Sequence, residues 1–515
     1  MSGRKRMMRE MIGCSERWAH STKRLLVLAW FVFLVSGCAE HPARAATPTE
    51  VWDVFYIGDA KVGHARSQIQ KVEEEGQPLE RVDNTTQLSL DRLGQTVTIE
   101  MQVTNFETPN GDLLRFESNV KLANTPMTAR GHVTDGHLKV EGRVQGQIVK
   151  TTVDCPAGTG GIDAIERSLS SKPLKPGQKR QLKMFLPMFN VVADVTLAAG
   201  DYEDVGLLDG KKATLLKIEN EAVVPGQAPI RSTAWTDQQG TLLKSVERGG
   251  MGVTTYRTTR EIALREGSGA KADLINLSVV KVSPPPREPH HARKIVYRVK
   301  LADGNPGQVF PASPSQIVKS LGPEEAEITV VAIRPESDLQ GAKPSPPTDG
   351  DRKPNVLIQS DDPQVVELAG QVAPQETDPW KIAVALERHV RDSMKTADFS
   401  QALASAAEVA RTRRGDCTEF AVLLAGLARA RGIPSRVVVG LVYAPSLGGF
   451  GFHMWDEVWI KDRWIALDAT RAQGGIGGGH LKLSDANLAD GSPTSFLPVY
   501  QVMGKLKVHV VSEEP

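Results

Sequence analysis

The sequence predicts an α+β protein, in which a β-rich antiparallel first half precedes a C-terminal domain of mixed helices and strands. Three observations lead there. Between residues 50 and 268, short stretches alternate apolar and polar residues and are broken by Gly, Asn and Asp, the pattern of half-buried strands and tight turns. After a stretch rich in Pro, Gly and charge, residues 336–356, the apolar period becomes helical. In "RRGDCTEFAVLLAGLARARGIPSRVVVG" one of only four cysteines stands directly at the front of an apolar helical run.

Composition narrows the field. A formal net charge of +1 gives no global field, so nothing argues for a nucleic acid or an acidic polymer as partner. The N-terminus says more, because seven Lys and Arg residues between Arg4 and Arg24 precede "LLVLAWFVFLV", Leu25 to Val35. A run of 11 apolar residues is short for a membrane span and right for a signal-peptide core. "VSGC", Val35 to Cys38, resembles the bacterial lipobox, with Val35 where leucine is more common. Residues 1–37 are therefore expected to be a lipoprotein-type signal peptide, leaving Cys38 lipidated and the protein exported and anchored in the cell envelope. The alternative is cleavage after "ARA", Ala43 to Ala45, giving a soluble secreted or periplasmic protein. With Cys14 in the leader and Cys38 acylated or removed, only Cys155 and Cys417 remain, too few for a disulfide framework.

In the β-rich region, 50–268, "TVTIEMQV" sets Val97, Ile99, Met101 and Val103 on one face, and "HLKVEGRV", "ADVTLA", "ATLLKIEN" and "TLLKSVE" read as further strands. One polar face on each predicts a curved antiparallel sheet or half-barrel. Cys155 in "VDCPAG" reads as a structural thiol. A second β-rich segment, 273–335, carries "INLSVVKV", "KIVYRVKL" and "EITVVAI" as strands. Its adjacent His290 and His291 lack a third ligand at metal spacing and read as solvated loop residues. Residues 336–356 read as a linker, so that a fragment from about Pro354 to Pro515 is expected to fold by itself. Within the domain at 357–495, "DPWKIAVALERHV" has Asp378 as N-cap, Pro379 at the first helical position, and His389 on a helix face; 496–515 reads as a C-terminal strand or tail.

The chemistry gathers around Cys417. Phe420, Leu423, Leu424 and Leu427 recur at helical spacing and Gly432 with Pro434 supplies the stop, so Cys417 falls in the first turn. The unpaired amides and positive dipole end there favour a thiolate, although a lone cysteine is also a common buried core residue. "RGD", Arg414 to Asp416, reads as the tight approach to that helix rather than an adhesion tripeptide. Downstream, "HMWDEVWI" and "RWIALDAT" alternate as two strands joined through "KDR". A tight turn at Lys461 and Asp462 pairs Ile460 with Arg463 and Trp455 with Asp468, and puts His453 diagonally beside Asp468, about 7 to 8 Å away at Cα. Asp456 would point to the opposite face; Glu457 shares the face without a special local setting. The predicted set is Cys417 as nucleophile, His453 as base and Asp468 as its orienting acid. The side-chain donor of an oxyanion site is not legible, and Trp455 and Trp459 are indistinguishable from core packing.

At these residues the sequence resembles the transglutaminase-like superfamily, in its bacterial members, from about Asp361 to Leu488. The resemblance rests on "RRGDCTEFAVLLAGLARARGIPSRVVVGLVY", "FGFHMWDEVWIKDRWIALDAT" and the order Cys, His, Asp. It implies a papain-like α+β fold with Cys417, His453 and Asp468 as the triad. The family includes proteases, amidases and amide-exchange enzymes, and members that have lost the triad. Calcium-binding features of the animal enzymes are not evident, so no metal and no cofactor is expected. Three functions follow: a cysteine hydrolase of peptide or other amide bonds, expected first; a transglutaminase proper, in which an amine resolves the thioester; and a non-enzymatic envelope binding protein. The expected partners are a peptide, protein or other amide substrate and, through the lipid, the membrane.

Overall fold

Fifteen strands between Thr49 and Thr258 make one sheet in this computed structural model. The structure describes residues 49–92, 95–122, 125–144, 146–267, 272–273, 277–338, 343–396, 404–489 and 493–515. The expected signal peptide and lipidation site, with Cys14 and Cys38, lie outside them. Among the described residues no helix is long and apolar enough to cross a membrane.

The large sheet is a meander of two arms. Eight strands from Thr49–Ile57 to Gln147–Asp154 pair antiparallel in sequence order, and six from Lys179–Leu186 to Thr254–Thr258 do the same. The arms join where Thr49–Ile57 pairs with Thr254–Thr258, and the two-residue strand Thr159–Gly160 adds a parallel edge. The sheet curls, bringing Phe116 of the first arm against Phe185 of the second with ring centroids 4.7 Å apart. A helix, Ala164–Ser171, is tied to the first arm through Arg167, which pairs with Glu80 and lies 2.8 Å from Glu107. Cys155 is buried and free, and burial pushes its thiol pKa up. Across the described residues strand outweighs helix, 49% to 18%, so the molecule is β-rich and the α+β description fits its C-terminal part.

That part is built on the helix Cys417–Ala430, which is buried on every side from Glu419 to Arg429, as expected of a helix that is apolar all round. Helices Pro363–Gln371, Pro379–Ser393 and Ala406–Thr412 pack against it. Asp378 caps Pro379–Ser393, accepting hydrogen bonds from Trp380 N at 2.8 Å and Lys381 N at 3.2 Å, and Ile382, Leu386 and Val390 point into the core. Beneath lies an antiparallel sheet in which Ser435–Ala444 runs between Gly449–Ile460 and His480–Ala486, and Arg463–Leu467 pairs with the outer side of Gly449–Ile460.

A third sheet joins residues from both sides of the expected linker: Gln316–Ser320, Glu325–Val331, Lys294–Leu301 and the C-terminal strand Leu506–Glu514, in that order. Its Ile295, Tyr297 and Val508 share one core with Leu441, Phe450 and Leu481 of the central sheet. The described residues of 343–356 are tied to the domain, where Trp464 Nε1 donates to Ser345 O at 2.9 Å and Arg429 Nη1 to Lys353 O at 2.8 Å. Two expectations need correction. Among its described residues, "INLSVVKV" contributes only the two-residue strand Val280–Lys281. His290 is not a solvated loop residue: it is half-buried, and its Nε2 donates to Tyr443 O at 2.9 Å.

Candidate active site

The local sequence places Cys417 with two devices. Asp416 caps the helix, accepting from Thr418 N at 3.0 Å, while Glu419 Oε2 accepts from Asp416 N at 2.9 Å, a capping box. Gly415 has φ of +153°, and a Cβ there would lie 2.2 Å from Glu419 Cβ, so only glycine lets the chain turn this closely into the helix. Cys417 is the first helical residue and is half-buried. Its amide belongs to the first turn, where N–H groups have no intrahelical acceptor. Glu419 Oε1 also accepts from Ala404 N at 3.1 Å, and burial together with the charge of Asp416 raises its pKa to about 7.

The hairpin has the register expected from the sequence. Lys461 and Asp462 take φ of 47° and 57°, the two positive values a two-residue turn requires, and Ile460 pairs with Arg463. Asp468 follows the last paired residue of its strand. His453 Nε2 donates to Asp468 Oδ2 at 3.0 Å, and Cys417 is close enough to the ring to act on it electrostatically. With Nε2 engaged, Nδ1 is the nitrogen left for the thiol. The three predicted residues are thus brought together.

Asp468 has further partners. Its Oδ1 accepts from Thr470 N at 2.9 Å and Thr470 Oγ1 at 2.6 Å, and its Oδ2 accepts a second imidazole, His480 Nε2, at 3.1 Å. Burial alone would raise the pKa of this carboxyl, but His453 and His480 hold it well below the usual carboxylate range. Burial likewise opposes a charged His453, and the Asp468 carboxylate and Cys417 outweigh it, raising that imidazole to about 10. Beneath them, Glu387 Oε1 accepts from Asp468 N at 3.0 Å and Oε2 from Gly474 N at 2.9 Å, anchoring the turn that carries the aspartate; burial pushes Glu387 up to about 7.

The competing acids sit elsewhere. Asp456 is buried on the opposite face with no hydrogen-bond partner among the described residues, and burial, then the charge of Asp468, raises its pKa strongly. Glu457 does have a special setting, as the hub of an ion-pair network that takes Arg436 at 2.6 Å and Lys482 at 2.8 Å. His389 stays on its helix face, where burial lowers its pKa. His453, Asp468 and His480 offer ligand atoms within 4.8 Å of one another and could hold a metal ion. Both Nε2 to Oδ2 distances are nonetheless those of N–H···O hydrogen bonds, so the set is complete as a network of two donors on one carboxylate. Sequence reasoning missed His480, Thr470 and Glu387. Only Glu387 left a signal, an acid among the apolar positions Ile382, Leu386 and Val390 of its helix.

A cysteine at a helix start, facing a histidine on one strand and an aspartate just past the end of the adjoining antiparallel strand, points to a class of domain. Residues 366–469 match the transglutaminase-like superfamily, and the chain carries a transglutaminase-like domain there. No curated protein matches the sequence. Among solved structures the chain is similar to a "putative cysteine protease" from Cytophaga hutchinsonii (19% identity, 42% of this chain and 83% of that one, TM-score 0.27). It is also similar to a β-barrel-like protein of a domain of unknown function from Brucella abortus (13%, 41% and 96%, TM-score 0.30). A third, a "putative protease" from Parabacteroides distasonis, aligns at 11% over 72% of this chain and 69% of that one, TM-score 0.19.

Proposed function

We propose that this protein hydrolyses amide or peptide bonds through a thioester on Cys417, with His453 as proton carrier and Asp468 as its orienting partner. The observation that carries the reading is the position of His453, 3.0 Å from Asp468 Oδ2 and close enough to Cys417 for the two to interact electrostatically. The proton that Cys417 gives up resides on His453, which is charged across the neutral range, as Sγ attacks the carbonyl carbon. The Cys417 amide, unpaired in the first turn, is placed to donate to the oxyanion that forms. Collapse breaks the C–N bond, and the imidazolium gives its proton to the leaving amine. Water then attacks the thioester, His453 takes its proton, and the acid leaves with Cys417 and His453 returned to their starting state. An amine in place of water would make the same residues a transferase.

The test is an activated ester, p-nitrophenyl acetate, with acid quench and peptide mass spectrometry. Acetyl on Cys417, absent in His453→Ala and discharged by water, is the expected result. Acetylation that is no faster than that of Cys155, or that His453→Ala leaves unchanged, would favour the binding-protein reading. Discharge only on addition of an amine would favour transfer. The leader and "VSGC" support an exported protein held at the membrane by diacylglycerol on Cys38. Mass spectrometry of the membrane-extracted protein should find lipid on an N-terminal Cys38; Ala46 as first residue would mean a soluble exported form.

A further inference from the structure

His480 is fully buried, belongs to no motif in the sequence, and touches the carboxylate on which His453 depends. We infer that His480 is a positioning residue: its neutral imidazole donates Nε2–H to Asp468 Oδ2 and keeps that carboxylate aimed at His453. This rests on the reading of Cys417, His453 and Asp468 as the reacting set.

The geometry is that of a shared acceptor. The two imidazoles meet the same oxygen at 3.0 and 3.1 Å, and Thr470 occupies the other oxygen with two donors. With both oxygens engaged, the carboxylate cannot rotate without breaking a bond to a charged group. A carboxylate only accepts, so the bond fixes the tautomer of His480 with its proton on Nε2. Nδ1 is then a bare acceptor, and it is the ring atom with no hydrogen-bond partner among the described residues.

The groups around His480 keep it uncharged. Burial lowers its pKa most; the nearby cationic His453 and Arg471 push the same way, and only Asp468 opposes them. A neutral donor does not neutralise Asp468, whose charge stays available to His453. The bond also persists through every protonation state of His453, so the aspartate is still in place when the imidazolium has given up its proton. The ring itself is clamped. Trp455 meets it edge-on at 5.1 Å and His290 at 5.8 Å, so a residue from outside the family-matched region closes the back of the site.

The experiment measures p-nitrophenyl acetate acylation of Cys417 across pH in the full-length protein, for wild type, His480→Phe, His480→Gln, Asp468→Asn, the double variant Asp468→Asn/His480→Phe, and His453→Ala. His480→Phe should slow acylation by about 10- to 100-fold, the span of one hydrogen bond to a charged group. His480→Gln, which keeps an N–H donor, should recover most of the rate, and His480→Phe should add nothing once Asp468 is Asn. A wild-type rate and pH profile in His480→Phe would overturn the inference, as would an equal loss in the Asp468→Asn background or no recovery with Gln. Nitrogen NMR of the unmodified protein gives an answer independent of folding in the variants: His480 should be neutral and protonated on Nε2, and a charged or Nδ1-protonated ring contradicts the assignment. Rate loss on chelation, restored by zinc, would also overturn it by making the three residues a metal site. If His453→Ala reacts like wild type, the proposed function fails and the inference with it; if His453→Ala is inert but His480→Phe is not impaired, only the role of His480 fails.

Discussion

His453 shows at the scale of one residue how two opposing effects are decided. Burial favours the neutral ring, and the Asp468 carboxylate with Cys417 overrides it, so the pKa stands at about 10. That value is above the ordinary histidine value of about 6.5. The pairing therefore stabilises the fold fully below about pH 6.5 and loses that contribution as pH rises through the folded value. The same holds for chemistry: a proton for the leaving amine is present throughout the neutral range and is lost on the alkaline side. Asp468→Asn removes the charge and keeps the shape. In that variant the His453 NMR titration should fall to about 6.5 or lower, and the alkaline limb of acylation should move down with it. A titration unchanged by the substitution would mean that Asp468 is not what holds the proton.

Among elements, the strand Ser435–Ala444 organises the site without contributing a reactive group. Gly440 pairs with His453 on one side and with Lys482 on the other, and a Cβ at Gly440 would lie 2.6 Å from the Trp455 ring and 2.2 Å from Leu481 O. The glycine leaves the space in which Trp455 packs against both histidines. Gly440→Ala should destabilise the protein by about 1 to 3 kcal/mol through overpacking and slow acylation as well; a thermal melt and the acylation rate check it, and an unchanged pair of values would contradict it. Much of this was legible in the sequence where the determinants are local. The Lys461–Asp462 turn sets the His453 and Asp468 register, and "GDC" with "GIP" brackets the cysteine helix. His480 was not legible, because its approach to Asp468 depends on its strand pairing across Ser435–Ala444 with a bulge between Val439 and Gly440, a non-local choice. For the same reason the alternation in 50–268 shows strands but not that Thr49–Ile57 pairs with Thr254–Thr258.

For the whole molecule, the chain is more interwoven than its composition suggests. The C-terminal strand Leu506–Glu514 pairs with Lys294–Leu301, and His290, from the same earlier segment, packs on His480. The first half is joined too: Gln501 Nε2 donates to Ala228 O at 2.6 Å, and Gly250 N to Tyr500 O at 3.1 Å. A fragment from Pro354 to Pro515 would strip Leu506–Glu514 of its partner strand and expose the apolar face formed by Leu441, Phe450 and Leu481. Contrary to the expectation from the linker composition, such a fragment should aggregate or melt well below the full chain, whereas one beginning near Asp273 should be the smallest soluble piece that keeps a reactive Cys417. A monomeric 354–515 fragment with full thiol reactivity would show that the third sheet is dispensable.

The central claim is that Cys417 is a nucleophile activated by His453, and the most direct measurement is the iodoacetamide alkylation rate of Cys417 against pH, with buried Cys155 as the control in the same molecule. Wild type should alkylate Cys417 rapidly at neutral pH while Cys155 stays inert, His453→Ala should need the alkaline conditions of an ordinary thiol, about pH 8.5, and Asp468→Ala should fall between them. A wild-type Cys417 that alkylates like an ordinary thiol, with neither substitution changing its profile, would contradict the account.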